Sequence, residues 1–160
     1  MAFAVEDGSI VTGANSYVTV AYADDYNTDR GNSDWTGSDA VKQAALIKAT
    51  DYIEQEYAER FKGALVSDTQ PLSWPRDGFI EPNYNEIPDK LKQAVCVLAL
   101  EALANDLNPV LDRAVKREKV DVIEIEYMDN ARESKSRPAI NGLLRPLLNG
   151  SRYNVPVVRV

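Results

Sequence analysis

The sequence contains no histidine and a single cysteine. Without histidine there is no Ser-His-Asp or Cys-His catalysis, no histidine metal site, and no general base of the kind most common near neutral pH. One cysteine excludes a disulfide within the chain. Carboxylate, lysine or tyrosine chemistry remains open, but no assembled set of such residues stands out. We therefore expect no enzyme activity, no catalytic residues, and neither a metal nor a cofactor.

The sequence also lacks an excess of positive charge and any long apolar run. Eighteen basic residues face 25 acidic ones, which gives a net charge of −7 and argues against a broad phosphate-binding surface. No apolar run approaches the ~20 residues of a membrane span, and the first residues lack the basic and apolar regions of a signal peptide. We expect no membrane partner. Phosphate loops, dinucleotide fingerprints, calcium loops and internal repeats are absent from the sequence.

The most apolar stretch covers residues 87–107. Pro88 and Asp89 suit the first turn of a helix, because proline lacks the N–H that is unused there and an acid favours the positive end of the helix dipole. Between residues 94 and 104 only Glu101 is charged, so the helix is apolar on nearly every side and must be buried. Cys96 lies inside it, where we expect a reduced core thiol.

Three further helices are predicted around this central one, near residues 19–30, 38–61 and 138–149. Thr19 and Ser38 stand at N-cap positions. The second helix has an apolar stripe at spacings of three and four, formed by Val41, Ala45, Leu46, Ala49, Tyr52, Ile53 and Tyr57. Its opposite side carries the polar residues Lys48, Asp51, Glu54, Gln55, Glu59 and Lys62. Such a helix can cover one side of the central helix.

One strand is predicted, near residues 119–127. Its alternation changes phase, so that either a bulge near Val122 and Ile123 or burial of both faces is expected. The chain is therefore predicted to be mainly α, a small helical bundle around a buried central helix with a short β-strand or hairpin element and extended termini. Residues 1–150 are expected to form a single domain, and residues 151–160 an extended tail.

Two local patterns have more than one interpretation. In the stretch 70–76, Gln-Pro-Leu-Ser-Trp-Pro-Arg, Trp74 could pin the loop onto the helices or stack on a nucleic-acid base beside Arg76. We favour packing, because only one arginine accompanies the tryptophan. Asp24, Asp25 and Asp29 could be drawn as a metal cluster, but carboxylates along an exposed helix more often form a solvated face.

The order of motifs resembles the head–tail adaptor proteins of tailed bacteriophages, also called head-completion or connector proteins. The matching stretches are residues 13–20, 45–53, 70–76, Ile87-Pro88 leading into 94–103, the strand at 119–127, and Leu143-Leu144. Together they cover most of residues 13–148. Some proteins similar to these are labelled DnaT-like single-stranded-DNA-binding proteins. The chain departs from the pattern at Tyr22, where an acidic residue is common in the first helical turn.

The resemblance implies a structural virion protein without enzyme activity. It would form a ring, typically of twelve subunits, below the portal protein and above a neck, stopper or tail-terminator protein. It would be made in the cytoplasm of the host bacterium and reside in the neck of the virion. Genome DNA would pass through its lumen without sequence-specific binding, helped by a negative lumen. The alternative is a single-stranded-DNA-binding protein that stacks bases on Trp35, Trp74 and the tyrosines.

Two segments are the candidate contact sites. The apolar tail would be costly to leave in water, so we expect it to dock either on the 119–127 strand or on another protein as an added strand. With the adaptor resemblance, the expected partner is the portal or an adjacent subunit. Its proposed docking residues are Tyr153, Val155, Val157, Val158, Arg159 and Val160. A lone strand needs hydrogen-bond partners and would find them in a neighbouring subunit. Its proposed contact residues are Val120, Val122, Ile123, Ile125 and Tyr127.

Overall fold

The computed structural model describes residues 2–78, 86–108, 115–119, 124–127 and 137–150. Within these ranges the helices are α1 (Val20–Asp29), α2 (Asp39–Tyr57), α3 (Asp89–Ala104) and α4 (Pro138–Leu144). Single 3₁₀ turns follow α2 and α4, at Ala58–Arg60 and Arg145–Leu147. The strands are β1 (Ala64–Leu65), β2 (Arg76–Asp77), β3 (Val115–Lys119) and β4 (Glu124–Tyr127). This mainly helical architecture with a small antiparallel hairpin confirms the predicted fold class.

The chain divides into two compact units. The helical unit comprises Met1–Leu107 together with Ala139–Val160, and the second unit, Asn108–Pro138, contains β3 and β4. The predicted tail at 151–160 lies outside the described residues, so the boundary after residue 150 stays a prediction. Among the described helices, none combines the length and apolar character that crossing a membrane requires.

Helix α3 lies at the centre of the helical unit. Leu91, Val95 and Leu98 are fully buried there, and α3 packs chiefly against α2, while α1 contacts both. Val97 and Leu100 are only half-buried against the same core. The central helix is therefore covered on most of its circumference by α1, α2 and the segments around them.

The predicted stripe of α2 is the face that it buries. Six of its seven residues are buried: Ala45, Leu46, Ala49, Tyr52, Ile53 and Tyr57. Val41 differs, with 49% of its surface exposed. It lies in the first turn of α2 beside the backbone of Gly37, where a Cβ would come within 3.3 Å of the valine side chain. Val41 thus packs on a loop instead of the core.

Side chains fix both the start of α1 and the segment before it. Thr19 Oγ1 accepts a hydrogen bond from the backbone N–H of Tyr22 at 3.1 Å, which confirms the predicted N-cap. Since the partner is a backbone group, the tyrosine at position 22 does not impair this cap. Upstream, the buried carboxylate of Glu6 accepts the N–H groups of Gly8, Ile10 and Val11, each at 2.9 Å. The Glu6 carboxylate consequently closes the turn formed by residues 6–11.

Strands β3 and β4 form an antiparallel hairpin, in which Lys119 pairs with Glu124 and Arg117 with Glu126. The single strand expected over residues 119–127 is thus divided: Lys119 ends one strand and Glu124 begins its partner. The antiparallel partner supplies hydrogen bonds that a lone strand would lack. The predicted bulge near Val122 and Ile123 lies outside the described residues. A register irregularity occurs instead between Val115 and Arg117.

Candidate functional site

The tryptophan of the 70–76 stretch is a core residue. Trp74 is 2% exposed, and its ring meets that of Phe61 edge-on, with 5.8 Å between the ring centroids. Edge-to-face contact is a favourable arrangement for two aromatic rings. The packing interpretation is therefore confirmed, and a buried ring cannot serve as a platform for a base.

The buried side chain of Arg76 connects the backbone of residues 62–63 with that of residue 73. Its guanidinium donates hydrogen bonds to the carbonyl oxygens of Lys62 at 2.8 Å, Gly63 at 2.9 Å and Ser73 at 3.2 Å. Phe61 O lies at 3.5 Å. The side chain is 9% exposed, and burial lowers the pKa of Arg76 from its usual value. A guanidinium engaged in this way is not available to a phosphate or a base.

Glu54 joins three segments, although the sequence pattern placed it on the solvated side of α2. Its Oε1 accepts a hydrogen bond from the hydroxyl of Tyr17, and its Oε2 accepts bonds from both the backbone N–H and the hydroxyl of Ser73. Tyr17 Oη in turn accepts the N–H of Trp74 at 3.2 Å. Burial, followed by the nearby Glu54 carboxylate, raises the pKa of Tyr17 well above its ordinary value.

The sequence indicated only indirectly that these three segments meet at Glu54. Tyr17 and Ser73 belong to two of the ordered motifs, residues 13–20 and 70–76, and Glu54 directly follows a third, residues 45–53. Helical periodicity could not reveal the contact, because it describes one helix and not the loops that reach it. The three motifs meet at one carboxylate and secure the internal packing of the helical unit.

Asp24 forms a similar joint between α1 and α2. Its Oδ1 accepts a hydrogen bond from the indole N–H of Trp35 at 2.6 Å and forms an ion pair with Lys42 Nζ at 2.8 Å. Burial alone would raise the pKa of Asp24, but the bonds from Lys42 and Trp35 outweigh it and lower the pKa. Trp35 is buried, so neither tryptophan offers an open face. No group of three or more metal-ligating side chains occurs among the described residues.

A different set of aromatic residues does reach the surface. Tyr22 and Tyr26 are half-buried on α1 and pack against the core. The guanidinium of Arg30 lies 3.5 Å from the ring centroid of Tyr26, and Lys92 Nζ of α3 lies 5.9 Å from that of Tyr22. Partial burial raises the pKa of both tyrosines. We call these four residues the tyrosine–cation patch.

The patch combines π-faces with positive charge, the combination used to bind single-stranded nucleic acid. Tyr22 and Tyr26 are four residues apart, so helical spacing alone places them on one face of α1, whereas the sequence analysis did not predict the cations beside them. The available signal was the spacing of four residues between Tyr26 in α1 and Arg30, the residue that caps its C-terminal end. Lys92 is contributed by α3, and only tertiary structure brings it to Tyr22.

Cys96 lies beneath this patch and is fully buried. Burial raises the pKa of its thiol to about 12, although the positive charge of Arg30 acts in the opposite direction. A thiol that stays protonated and covered is not a nucleophile. The predicted assignment as a reduced core residue is confirmed.

The candidate contact residues fall mostly outside the described ranges. All six tail residues, Tyr153, Val155, Val157, Val158, Arg159 and Val160, lie there, as do Val120, Val122 and Ile123. Ile125 and Tyr127 lie on β4, paired in register with Glu118 and Val115 of β3. The last described segment is anchored, since the N–H of Asn149 donates to Arg60 O at 2.7 Å. The described chain therefore ends beside the 3₁₀ turn that follows α2.

These observations define a small, mainly α-helical protein with a separate β-hairpin unit, whose distinctive sequence motifs form internal joints. The whole chain, residues 1–160, matches the family described as "Putative DnaT-like ssDNA binding protein", and it belongs to that family. No curated protein and no solved structure matches it significantly.

Proposed function

We propose that the protein is a structural subunit of the head–tail connection of a tailed bacteriophage. Several copies would form a ring, twelve in the typical case, bound below the portal protein and above a neck, stopper or tail-terminator protein. Genome DNA would pass through the lumen. The role is one of binding without catalysis, performed in the virion neck by a protein made in the host cytoplasm.

The observation that carries this proposal is the hairpin unit. Strands β3 and β4 form a two-stranded sheet, and within the described residues no third strand pairs with either outer edge. An isolated two-stranded hairpin is marginally stable in water, and open edges are templates for further strands. A ring subunit can offer such an element to its neighbours.

The burial of the 70–76 stretch and the overall charge support the same proposal. Trp74 and Arg76 maintain the fold and leave no binding chemistry there. A net charge of −7 suits a lumen that lets DNA slide past, because negative walls repel the phosphate backbone.

The direct test is assembly. Full-length protein would be mixed with DNA-filled, portal-bearing capsids that lack neck proteins, and the portal vertex would be imaged by electron microscopy. We expect an added ring of density below the portal. A variant in which residues 115–127 are replaced by a glycine-serine linker should fold but fail to form the ring. Capsids that gain no density with the full-length protein would refute the proposal.

A second candidate function, single-stranded-DNA binding, is favoured by the family description and by the tyrosine–cation patch. It could not use Trp35, Trp74 or Arg76, because all three are buried. Tyr22 and Tyr26 would supply the stacking faces, with Arg30 and Lys92 beside them.

Fluorescence anisotropy with a labelled oligothymidine separates the two functions. Single-strand binding predicts salt-sensitive affinity that is lost in Tyr26→Ala and Arg30→Ala variants and kept in Arg145→Ala, an exposed position on another part of the helical unit. The adaptor proposal predicts little or no binding at physiological salt, because of the net negative charge.

A further inference from the structure

We propose that the hairpin joins neighbouring subunits head to tail, with β4 of one copy beside β3 of the next. This inference rests on the proposed adaptor function and specifies the contact by which the ring closes. The partner is a second copy of this chain, and the surface is the pair of outer strand edges. The argument depends on backbone register and on the sequence of the two strands.

The two strands carry opposite charge. Strand β3 reads Val-Lys-Arg-Glu-Lys, with three cationic residues and one glutamate. Strand β4 reads Glu-Ile-Glu-Tyr, with two glutamates and no cation. Within the hairpin, register pairs Arg117 with Glu126 and Lys119 with Glu124, so that residues of opposite charge already stand opposite each other.

The charges discriminate between the ways in which two hairpins can associate. Pairing β3 with β3, or β4 with β4, is the two-fold arrangement of a closed dimer and brings together two strands of the same net charge, which is unfavourable. Pairing β4 with β3 of the next copy sets unlike charges opposite each other. Only the second arrangement leaves each copy with another open edge, so it continues from copy to copy.

Strand direction agrees with this arrangement. In a ring, rotation about the axis gives every β3 the same direction and every β4 the opposite one, since the two are antiparallel within each hairpin. β4 of one copy therefore meets β3 of the next in antiparallel orientation. The resulting sheet would alternate positive and negative strands around the ring, and closure removes the open edges.

Cysteine cross-linking tests which edges meet. One full-length variant carries Glu118→Cys on β3 and another carries Ile125→Cys on β4, so that the three cations and both glutamates are retained. Both are bound to portal-bearing capsids, separately and mixed, and treated with a short bismaleimide. We expect covalent dimers in the mixture and no covalent dimers in either separate sample. Wild-type protein is the control, because Cys96 is buried and its thiol pKa is about 12.

The outcomes separate this inference from the function on which it depends. Cross-linking that is equal in the separate samples, or absent from a mixture that has bound to capsids, would overturn the head-to-tail contact and leave the adaptor proposal standing. Failure of the wild-type protein to bind capsids at all would overturn the adaptor proposal and this inference with it.

A charge-swapped variant provides the second test. The substitutions R117E, K119E, E124K and E126K exchange the signs of both strands while keeping opposite charges paired within the hairpin. Alone, this variant should form rings as wild type does. Mixed with wild type, it should segregate into rings of its own, because its β4 would meet a like-charged β3. Native mass spectrometry that showed mixed rings in statistical proportions would contradict the proposal.

Discussion

Glu54 illustrates how one polar residue can connect a helix to two distant loops. Its two carboxylate oxygens receive three hydrogen bonds from Tyr17 and Ser73, which lie on either side of α2 in sequence. Hydrogen bonds to a charged acceptor contribute about 1.5–3 kcal/mol each, more than neutral ones. We infer that Glu54 fixes both loops on α2.

Substituting Glu54→Gln should therefore destabilise the protein by about 2 kcal/mol. Glutamine keeps the shape of the side chain, but its NH₂ group cannot accept a bond from the hydroxyl of Tyr17 or from Ser73. The measurement is the free energy of unfolding in urea. Glu56→Gln, at an exposed position on the same helix, is the matched control and should change stability by less than about 0.5 kcal/mol. Equal effects of the two substitutions would contradict the assigned role.

The raised pKa of Cys96 predicts that the free energy of unfolding decreases at alkaline pH. Its folded pKa is about 12, whereas an unfolded cysteine titrates near about 8.5, so the unfolded chain releases its proton first as pH rises. The stabilisation is complete below the unfolded pKa and is lost progressively above it, at up to ~1.4 kcal/mol per pH unit. Tyr17, whose pKa is also raised, acts in the same direction at still higher pH.

The free energy of unfolding should thus fall between about pH 8.5 and 10 in the wild type, and fall less steeply in Cys96→Ala. Urea titrations at a series of pH values measure the two slopes. The comparison uses slopes because the substitution also leaves a small cavity and lowers stability at every pH. Coinciding slopes would show that the thiol is more accessible than its burial indicates.

Helix α2 shows that periodicity predicts which side chains a helix buries but not which loops contact it. Spacings of three and four identified six buried residues correctly, because a helix packed on one side buries the residues of one face. Glu54 was assigned to the solvated side, since the pattern contains no information about a loop arriving from residues 70–76. Val41 was assigned to the core, although the core does not extend to the first turn of α2.

The hairpin shows the same limit for strands. The alternating residues predicted β structure near 119–127, and Glu124–Tyr127 is indeed a strand. Its partner β3 was not predicted, because Val-Lys-Arg-Glu-Lys has one apolar residue and no alternation. Pairing with β4 makes it a strand, and such pairing depends on tertiary context. The candidate contact residues of the tail follow from composition alone, and the structure does not describe them.

Arg76 is predicted to stabilise the segments that contain β1 and β2. Its planar guanidinium reaches the carbonyl oxygens of Lys62, Gly63 and Ser73, which one ammonium group cannot do at the same time. Arg76→Lys should lower the free energy of unfolding by about 2 kcal/mol, because buried carbonyl groups lose their partners. Hydrogen exchange should show faster opening of β1 and β2. Arg145→Lys, at an exposed position, is the control, and similar losses in both variants would refute the bridging role.

For the whole molecule, the structure separates what maintains the fold from what is available to partners. Three of the motifs that carry the resemblance to phage adaptors, residues 13–20, 45–53 and 70–76, meet around Glu54 and Arg76, so these three specify the fold and identify no binding partner. Among the described residues, the tyrosine–cation patch and the hairpin remain as candidate sites for partners, and the tail stays a prediction from the sequence. Each belongs to a different hypothesis, and each can be tested by its own substitutions or deletion.

The tail provides the final prediction. Deleting residues 154–160 should abolish binding to portal-bearing capsids and leave the melting temperature within about 4 °C of the wild type. The fold should persist because the bonds of Asn149 to Arg60 O and of Lys62 N–H to Leu147 O are retained. Replacing the same residues with a glycine-serine segment of equal length should also abolish binding, which would assign the effect to the apolar side chains and not to length. Normal joining of the truncated protein to the neck would show that the tail is not the docking segment, because no other residue was removed.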